Sequence, residues 1–152
     1  MATDSPQKDG GARVRWGWAV AVFVGLEIVM IAAAFAWVAI YSYVLQPGQS
    51  LETYQAYARQ ASPIVALAVG VPAFFAAGIW LRKRLGAAGF GTAVAAGTLY
   101  LLLEAAVMVS VAREPRVLGM FFANVPAKIG VLLLGARAGR GFRQAGSTGV
   151  AA

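Results

Sequence analysis

The sequence contains no cysteine and no histidine, and only 12% of its 152 residues are charged. The missing cysteine excludes disulfide bonds and thiol nucleophiles. Together the two absences remove the usual protein ligands of zinc and haem, and without histidine there is no imidazole for acid–base chemistry. No P-loop, dinucleotide-binding fingerprint or metal-ligand spacing is found in the sequence. We therefore expect no enzyme activity, no metal and no cofactor.

Apolar residues are abundant instead: 60% of the chain is hydrophobic, and the mean hydropathy is +0.70. A soluble domain of this size keeps much of its surface in water and carries about twice this charged fraction. The composition therefore predicts an integral membrane protein. Lipid tolerates helices or closed barrels, and the sequence lacks the ten-residue alternation of a barrel. Charged residues separate four apolar intervals, each long enough for one spanning helix. The predicted spans are 17–42, 62–81, 88–112 and 117–136.

Basic residues flank these spans unevenly, with nine on the side of the termini and three on the other. By the positive-inside rule, both termini are expected in the cytoplasm. Short connections make successive helices antiparallel neighbours. The predicted architecture is an all-α, four-helix transmembrane bundle within one membrane domain, 13–140, between disordered tails at 1–12 and 141–152. The excess of arginine, alanine and glycine suggests a bacterial cytoplasmic membrane.

The longest predicted loop is the outer one, 46–61, which joins spans one and two. Ser50 has the character of a helix N-cap, and Glu52 follows in the first turn. The spacing of the apolar residues after Ser50 predicts a short amphipathic helix on the outer membrane face. Such a helix serves either as an interfacial anchor or as a lid or partner contact.

Prolines and small residues shape the spans. Pro72 and Pro126 fall in mid-span, where each removes a backbone hydrogen bond, so we expect kinks that are either structural or hinges. Small residues recur at a spacing of four and permit close helix packing, within one chain or between copies. These ridges are Ser62–Ala66–Gly70, Gly89–Ala93–Gly97, Gly119–Ala123–Ala127 and Gly135–Gly139.

Charged residues inside the spans are the candidate site, because a charge in lipid needs a partner or water. Glu27 lies 12 residues from Arg15, and Lys128 lies nine residues from Arg137. At 1.5 Å per residue these separations place Glu27 about 18 Å deep and Lys128 about 14 Å deep. An ion pair between them is therefore predicted. Asn124 lies one turn from Lys128 and is expected to complete the polar cluster.

Glu104 is predicted to stand apart from this cluster. It lies nine residues before Arg113, which places it about 14 Å below the opposite boundary. Tyr100 precedes it by one turn on the same face. An unpaired carboxyl buried in lipid favours its neutral form, so we expect Glu104 to donate a hydrogen bond to a helix or a neighbouring subunit.

The basic residues on the side of the termini can also bind anionic lipid headgroups, or serve simply to orient the chain. Six of them follow the second and fourth spans: Arg82, Lys83, Arg84, Arg137, Arg140 and Arg143. Because the net charge of +7 is divided among separate membrane-flanking clusters, nucleic acid is not an expected partner.

Two classes of function fit these features. In the first, the protein is an accessory, assembly or scaffold subunit, and its buried charges hold helices together or pair with other membrane subunits. In the second, it is a homo-oligomeric transporter or ion- or proton-conducting protein that uses Glu27, Glu104 and Lys128. The sequence favours the first class slightly, and membrane lipids are expected partners in both.

Overall fold

The computed structural model describes residues 13–111 and 115–140, and within these ranges the chain is helical and contains no strand. The predicted tails, 1–12 and 141–152, lie outside the described residues. Four α-helices follow one another, and a π-helical turn, Tyr41–Leu45, extends the first of them. The helices are α1 (Trp16–Ile40), α2 (Leu51–Leu85), α3 (Ala88–Val111) and α4 (Pro115–Ala138).

Three of the helical segments are long and apolar enough to cross a membrane, as the composition predicts. They are Trp16–Leu45 with 30 residues, Leu51–Leu85 with 35, and Ala88–Val109 with 22. The all-helical class and the membrane character of the chain are confirmed by these segments. Helix α4 has 24 residues and covers the predicted fourth span, with Lys128 near its middle.

Helix α2 is longer than predicted, because the expected separate helix in the outer loop is its first part. The N-cap prediction is confirmed: the backbone N–H of Thr53 donates to Ser50 Oγ at 3.3 Å, and Glu52 lies in the first turn. The segment 51–62 contains neither glycine nor proline and is rich in good helix formers. Nothing therefore ends the helix before the predicted second span, and α2 continues through Pro63 and Pro72.

Aromatic side chains tie the end of α1 to the start of α2. The Tyr41 ring stacks on the Tyr57 ring with centroids 3.4 Å apart, and Trp37 Nε1 donates to Tyr57 OH at 3.0 Å. In the connection, Tyr54 OH donates to the carbonyl oxygen of Gln46 at 2.8 Å. Gly48 supplies a positive φ of 81° for the turn, which other residues rarely adopt. These contacts fix the α1–α2 connection.

Helices α2 and α4 form the most extensive helix pair, and their backbones touch through glycines. A Cβ on Gly78 of α2 would overlap the carbonyl oxygen of Leu132, and one on Gly135 of α4 would overlap that of Phe75. Close approach of this kind replaces the hydrophobic driving force that lipid cannot supply. The 135–139 ridge therefore packs within the chain, against α2.

The other small-residue ridges differ from one another. Gly89 lies against the backbone of Leu81, and Gly97 lies against Ile129, so the α3 ridge also packs within the chain. Gly119 has open space around it, and Ala123 is exposed, so this part of the α4 ridge faces outward.

Basic and aromatic side chains meet where α2 leads into α3. The Arg84 guanidinium lies over the Trp18 ring at 5.9 Å, and the rings of Trp18 and Trp80 meet edge to face at 5.2 Å. The Arg137 guanidinium lies over Phe90 at 5.7 Å. These contacts bring the start of α1 beside the end of α2, and the end of α4 beside the start of α3.

Candidate functional site

The candidate site is built around Lys128, whose side chain is 2% exposed. The aliphatic part of the Lys128 side chain packs against Gly70 of α2. A Cβ on Gly70 would lie 2.8 Å from Lys128 Cε. The thioether of Met30, on α1, lies against the same glycine. The missing side chain at Gly70 therefore leaves room for the lysine stem between three helices.

The ammonium group of Lys128 begins a chain of two short hydrogen bonds. Lys128 Nζ donates to Tyr100 OH at 2.7 Å, and Tyr100 OH donates to Glu104 Oε1 at 2.6 Å. Hydrogen bonds with an ionised donor or acceptor are the stronger kind. Tyr100 and Glu104 are one turn apart on α3, so this polar chain joins α4 to α3.

Aromatic rings line the polar chain on the side of α2. The Phe74 ring meets the buried Tyr100 ring edge to face, with centroids 4.9 Å apart. Lys128 Nζ lies 5.2 Å from the centroid of Tyr100 and 6.0 Å from that of Phe74. The positive charge is therefore stabilised chiefly by the Tyr100 hydroxyl oxygen, and the Phe74 ring lies at the outer limit of the cation–π distance.

Two buried acceptor atoms lie outside this chain of hydrogen bonds. Glu27 Oε1 on α1 and Asn124 Oδ1 on α4 have no hydrogen-bond partner in the described part of the protein. Glu27 nevertheless lies close enough to Lys128 and Glu104 for charge–charge interaction with both. The cluster thus contains two carboxyl groups, one amine and one phenol, and the Asn124 amide lies one turn from Lys128 on α4.

The structure groups the predicted residues differently from the sequence analysis. Lys128 binds Tyr100, and through it Glu104, so the prediction that Glu104 stands apart is wrong. The depth of Glu104 was counted from Arg113, which lies outside the described residues. An estimate of depth from residue counts also ignores the lengths of the Lys128 and Tyr100 side chains, which span the difference in depth between Lys128 and Glu104. Glu104 Oε1 accepts the hydrogen bond from Tyr100, and donation by this carboxyl group to a helix or a neighbouring subunit stays a prediction.

The other predicted site residues lie away from this cluster. Pro72 and Pro126 are exposed on helices that continue through them, and their role as hinges stays a prediction. Arg82 donates to the carbonyl oxygen of Ala87 at 3.3 Å. Of the remaining headgroup candidates, Arg84 and Arg137 lie on aromatic rings as described above, Lys83 and Arg140 are exposed, and Arg143 lies outside the described residues.

Sequence reasoning missed the apolar residues that shape the site. Phe74 follows Gly70 by one turn and precedes Gly78 by one turn, so its spacing already places it on the α2 face toward α4. Met30 follows Glu27 by three residues and so shares its side of α1. These spacings were available in the sequence, but the contact with Lys128 depends on how the helices pack.

Hydrogen bonds join the amine, the phenol and one carboxyl group of the cluster, and no group of three acidic side chains suited to a metal occurs among the described residues. The long apolar helices and the polar chain between them define an all-helical membrane protein with a buried charge cluster. Comparisons of the chain with protein-family models, with curated proteins and with solved structures find no match.

Proposed function

We propose that the chain crosses a bacterial cytoplasmic membrane four times, with α4 as the fourth span and both termini in the cytoplasm. The uneven distribution of basic residues, nine against three, supports this orientation. The contacts of Arg84 with Trp18 and of Arg137 with Phe90 also support it, because they put basic residues from separate clusters near one another. In an antiparallel arrangement of four spans, these basic clusters must lie on the same side of the membrane.

Single cysteines test the orientation cleanly, because the natural chain has none. Gln49→Cys lies in the α1–α2 connection and Ala87→Cys in the α2–α3 connection, and both positions are exposed. A membrane-impermeant maleimide is expected to label Gln49→Cys in intact cells and Ala87→Cys only after permeabilisation. The reverse pattern would invert the topology, and labelling of both in intact cells would exclude a span between them.

In this orientation we propose that the protein is an accessory or scaffold subunit of a membrane complex. The hydrogen-bond chain from Lys128 through Tyr100 to Glu104 carries this proposal. Because the lysine finds its partners inside the chain, its charge serves to hold α3 and α4 in register. The backbones of α2 and α4 also touch at Gly78. Such close helix packing is expected of a structural subunit.

Helix α1 is the surface proposed to meet a partner. Of the three apolar segments it has the smallest buried share, and it presents large side chains outward, including Ile28, Ile31 and Phe35. An apolar helix face packs equally well against lipid and against partner helices of matching shape. Membrane lipids cover whatever part of this face a partner leaves free.

Gentle extraction of the tagged full chain from its own membrane, followed by measurement of the native mass, tests the subunit proposal. We expect another membrane protein in fixed ratio to the chain. Phe35→Ala, at a side chain 74% exposed on α1, is expected to weaken this association. Leu102→Ala, 60% exposed on α3, is the matched control. A bare homo-oligomer would contradict the proposal.

A second candidate function is transport or proton conduction by a homo-oligomer. It is favoured by the two buried acceptors without donors, Glu27 Oε1 and Asn124 Oδ1, since unpaired polar atoms in a membrane protein often mark an ion or proton path. Purified protein in liposomes would then show proton or cation flux that Glu27→Gln or Glu104→Gln abolishes. Absence of flux from the bare oligomer would exclude it.

A further inference from the structure

The buried cluster carries an imbalance of charge. Glu27 and Glu104 are two acids, whereas Lys128 is one base, and the three groups interact electrostatically. Helix α2, which packs beside them, has no charged residue between positions 60 and 81. With every group ionised the cluster has a net charge of −1. An uncompensated charge among apolar helices is expensive, and one added proton removes it.

We propose that the cluster is a binding site for a single proton, which Glu27 holds while Glu104 stays ionised. In this state, a proton from water has joined the Glu27 carboxylate to give a neutral carboxylic acid, and no other bond changes. The site would exist in an accessory subunit and in a transporter alike. Its test is therefore independent of the function proposed above.

The direction of the hydrogen bonds favours Glu104 as the ionised acid. The Lys128 ammonium can only donate, so the Tyr100 oxygen accepts from it and the single phenolic proton points to Glu104. Glu104 Oε1 is therefore an acceptor in a chain that begins at a cation. This arrangement stabilises the carboxylate form of Glu104 and makes it the counter-ion of Lys128 through Tyr100.

Glu27 has the opposite environment. Its buried Oε1 receives no hydrogen bond from any described residue, and a buried acceptor without a donor costs free energy. Protonation converts this carboxyl group into a donor. Among the described residues, Asn124 Oδ1, one turn before Lys128 on α4, is a second buried acceptor without a donor. One proton on Glu27 therefore removes the net charge of the cluster and the unsatisfied carboxylate oxygen together.

Infrared spectroscopy of the full chain at neutral pH, in a detergent that contains no ester or carboxyl group, tests the site. A protonated carboxylic acid has a carbonyl stretch above the amide I band, which a carboxylate lacks. We expect one such band in the natural protein, its complete loss in Glu27→Gln, and its retention in the control Glu52→Gln, at an exposed acid in the first turn of α2.

Two outcomes would overturn the proposal. If the natural protein shows no band, the cluster binds no proton at neutral pH; if the band survives Glu27→Gln, the proton is held by another acid. Thermal denaturation checks that Glu27→Gln is folded. Should it not fold, Glu27→Asp keeps the acid but moves its oxygens, and an unshifted band in that variant would equally contradict the assignment to Glu27.

Discussion

Lys128→Leu is expected to lower the free energy of unfolding by about 3–5 kcal/mol, the usual cost of removing one partner from a buried charge pair. The change removes the donor to Tyr100 and leaves the Glu104 carboxylate buried without its cation. Leucine also fails to reach along the path that the lysine stem follows beside Gly70. Reversible unfolding in mixed micelles measures the change.

Second substitutions identify the partner of Lys128. Glu104→Gln combined with Lys128→Leu is expected to recover much of the loss, because it removes the acid left without a partner. Glu27→Gln combined with Lys128→Leu is expected to recover less, since Glu104 remains charged. The opposite ranking would mean that Glu27 is the true counter-ion, as the depth estimate from the sequence predicts. Coupling energies from these cycles isolate the pairwise contribution.

Gly78→Ala is expected to destabilise the protein by about 1–3 kcal/mol, as overpacking of a tight interior commonly does. The new methyl group would overlap the carbonyl oxygen of Leu132 and approach the Ala136 nitrogen to 2.8 Å. Both are backbone atoms, so no side chain can rotate away, and α2 must separate from α4. The measurement is again the free energy of unfolding.

Gly130→Ala is the matched control, because it adds the same methyl group to α4 where no other atom lies within 4 Å. It is expected to leave stability unchanged or slightly higher, since alanine favours helix over glycine. Gly135→Ala should resemble Gly78→Ala, and the two changes together should cost less than their sum, because both act on one contact. Equal effects at Gly78 and Gly130 would refute the close approach.

The candidate site was predictable in its members but not in its pairing. Glu27, Glu104, Asn124, Tyr100 and Lys128 are recognisable from the sequence because polar groups are conspicuous within apolar spans. Their hydrogen-bond partners cannot be recognised in this way, because a hydrogen bond forms only when the donor and acceptor atoms are placed to within a few tenths of an ångström. Rise per residue locates a Cα along one helix, but it says nothing about helix rotation or the direction of a long side chain.

The fold shows the same division between local and distant effects. The Ser50 cap involves a hydrogen bond to a backbone N–H only three residues away, so the local sequence is enough to predict it. The predicted loop helix and the second span form one continuous helix, because the residue before Pro63 is only biased against helix and its neighbours favour one. The spacing of small residues predicts which helix faces can pack closely, but only the structure shows what each face meets. Gly135 lies against α2, whereas Gly119 faces open space.

By itself the sequence determined the chemistry of the protein: long apolar helices, no thiol or imidazole, and a few charges where lipid would surround them. These properties depend on composition and on spacing along one helix, which the sequence states directly. The tertiary structure alone decided that Lys128 meets Tyr100 and Glu104 while Glu27 Oε1 is left without a donor. That choice depends on which helix faces touch, and it follows from backbone contacts such as Gly78 against Leu132, which join helices that are distant in the sequence.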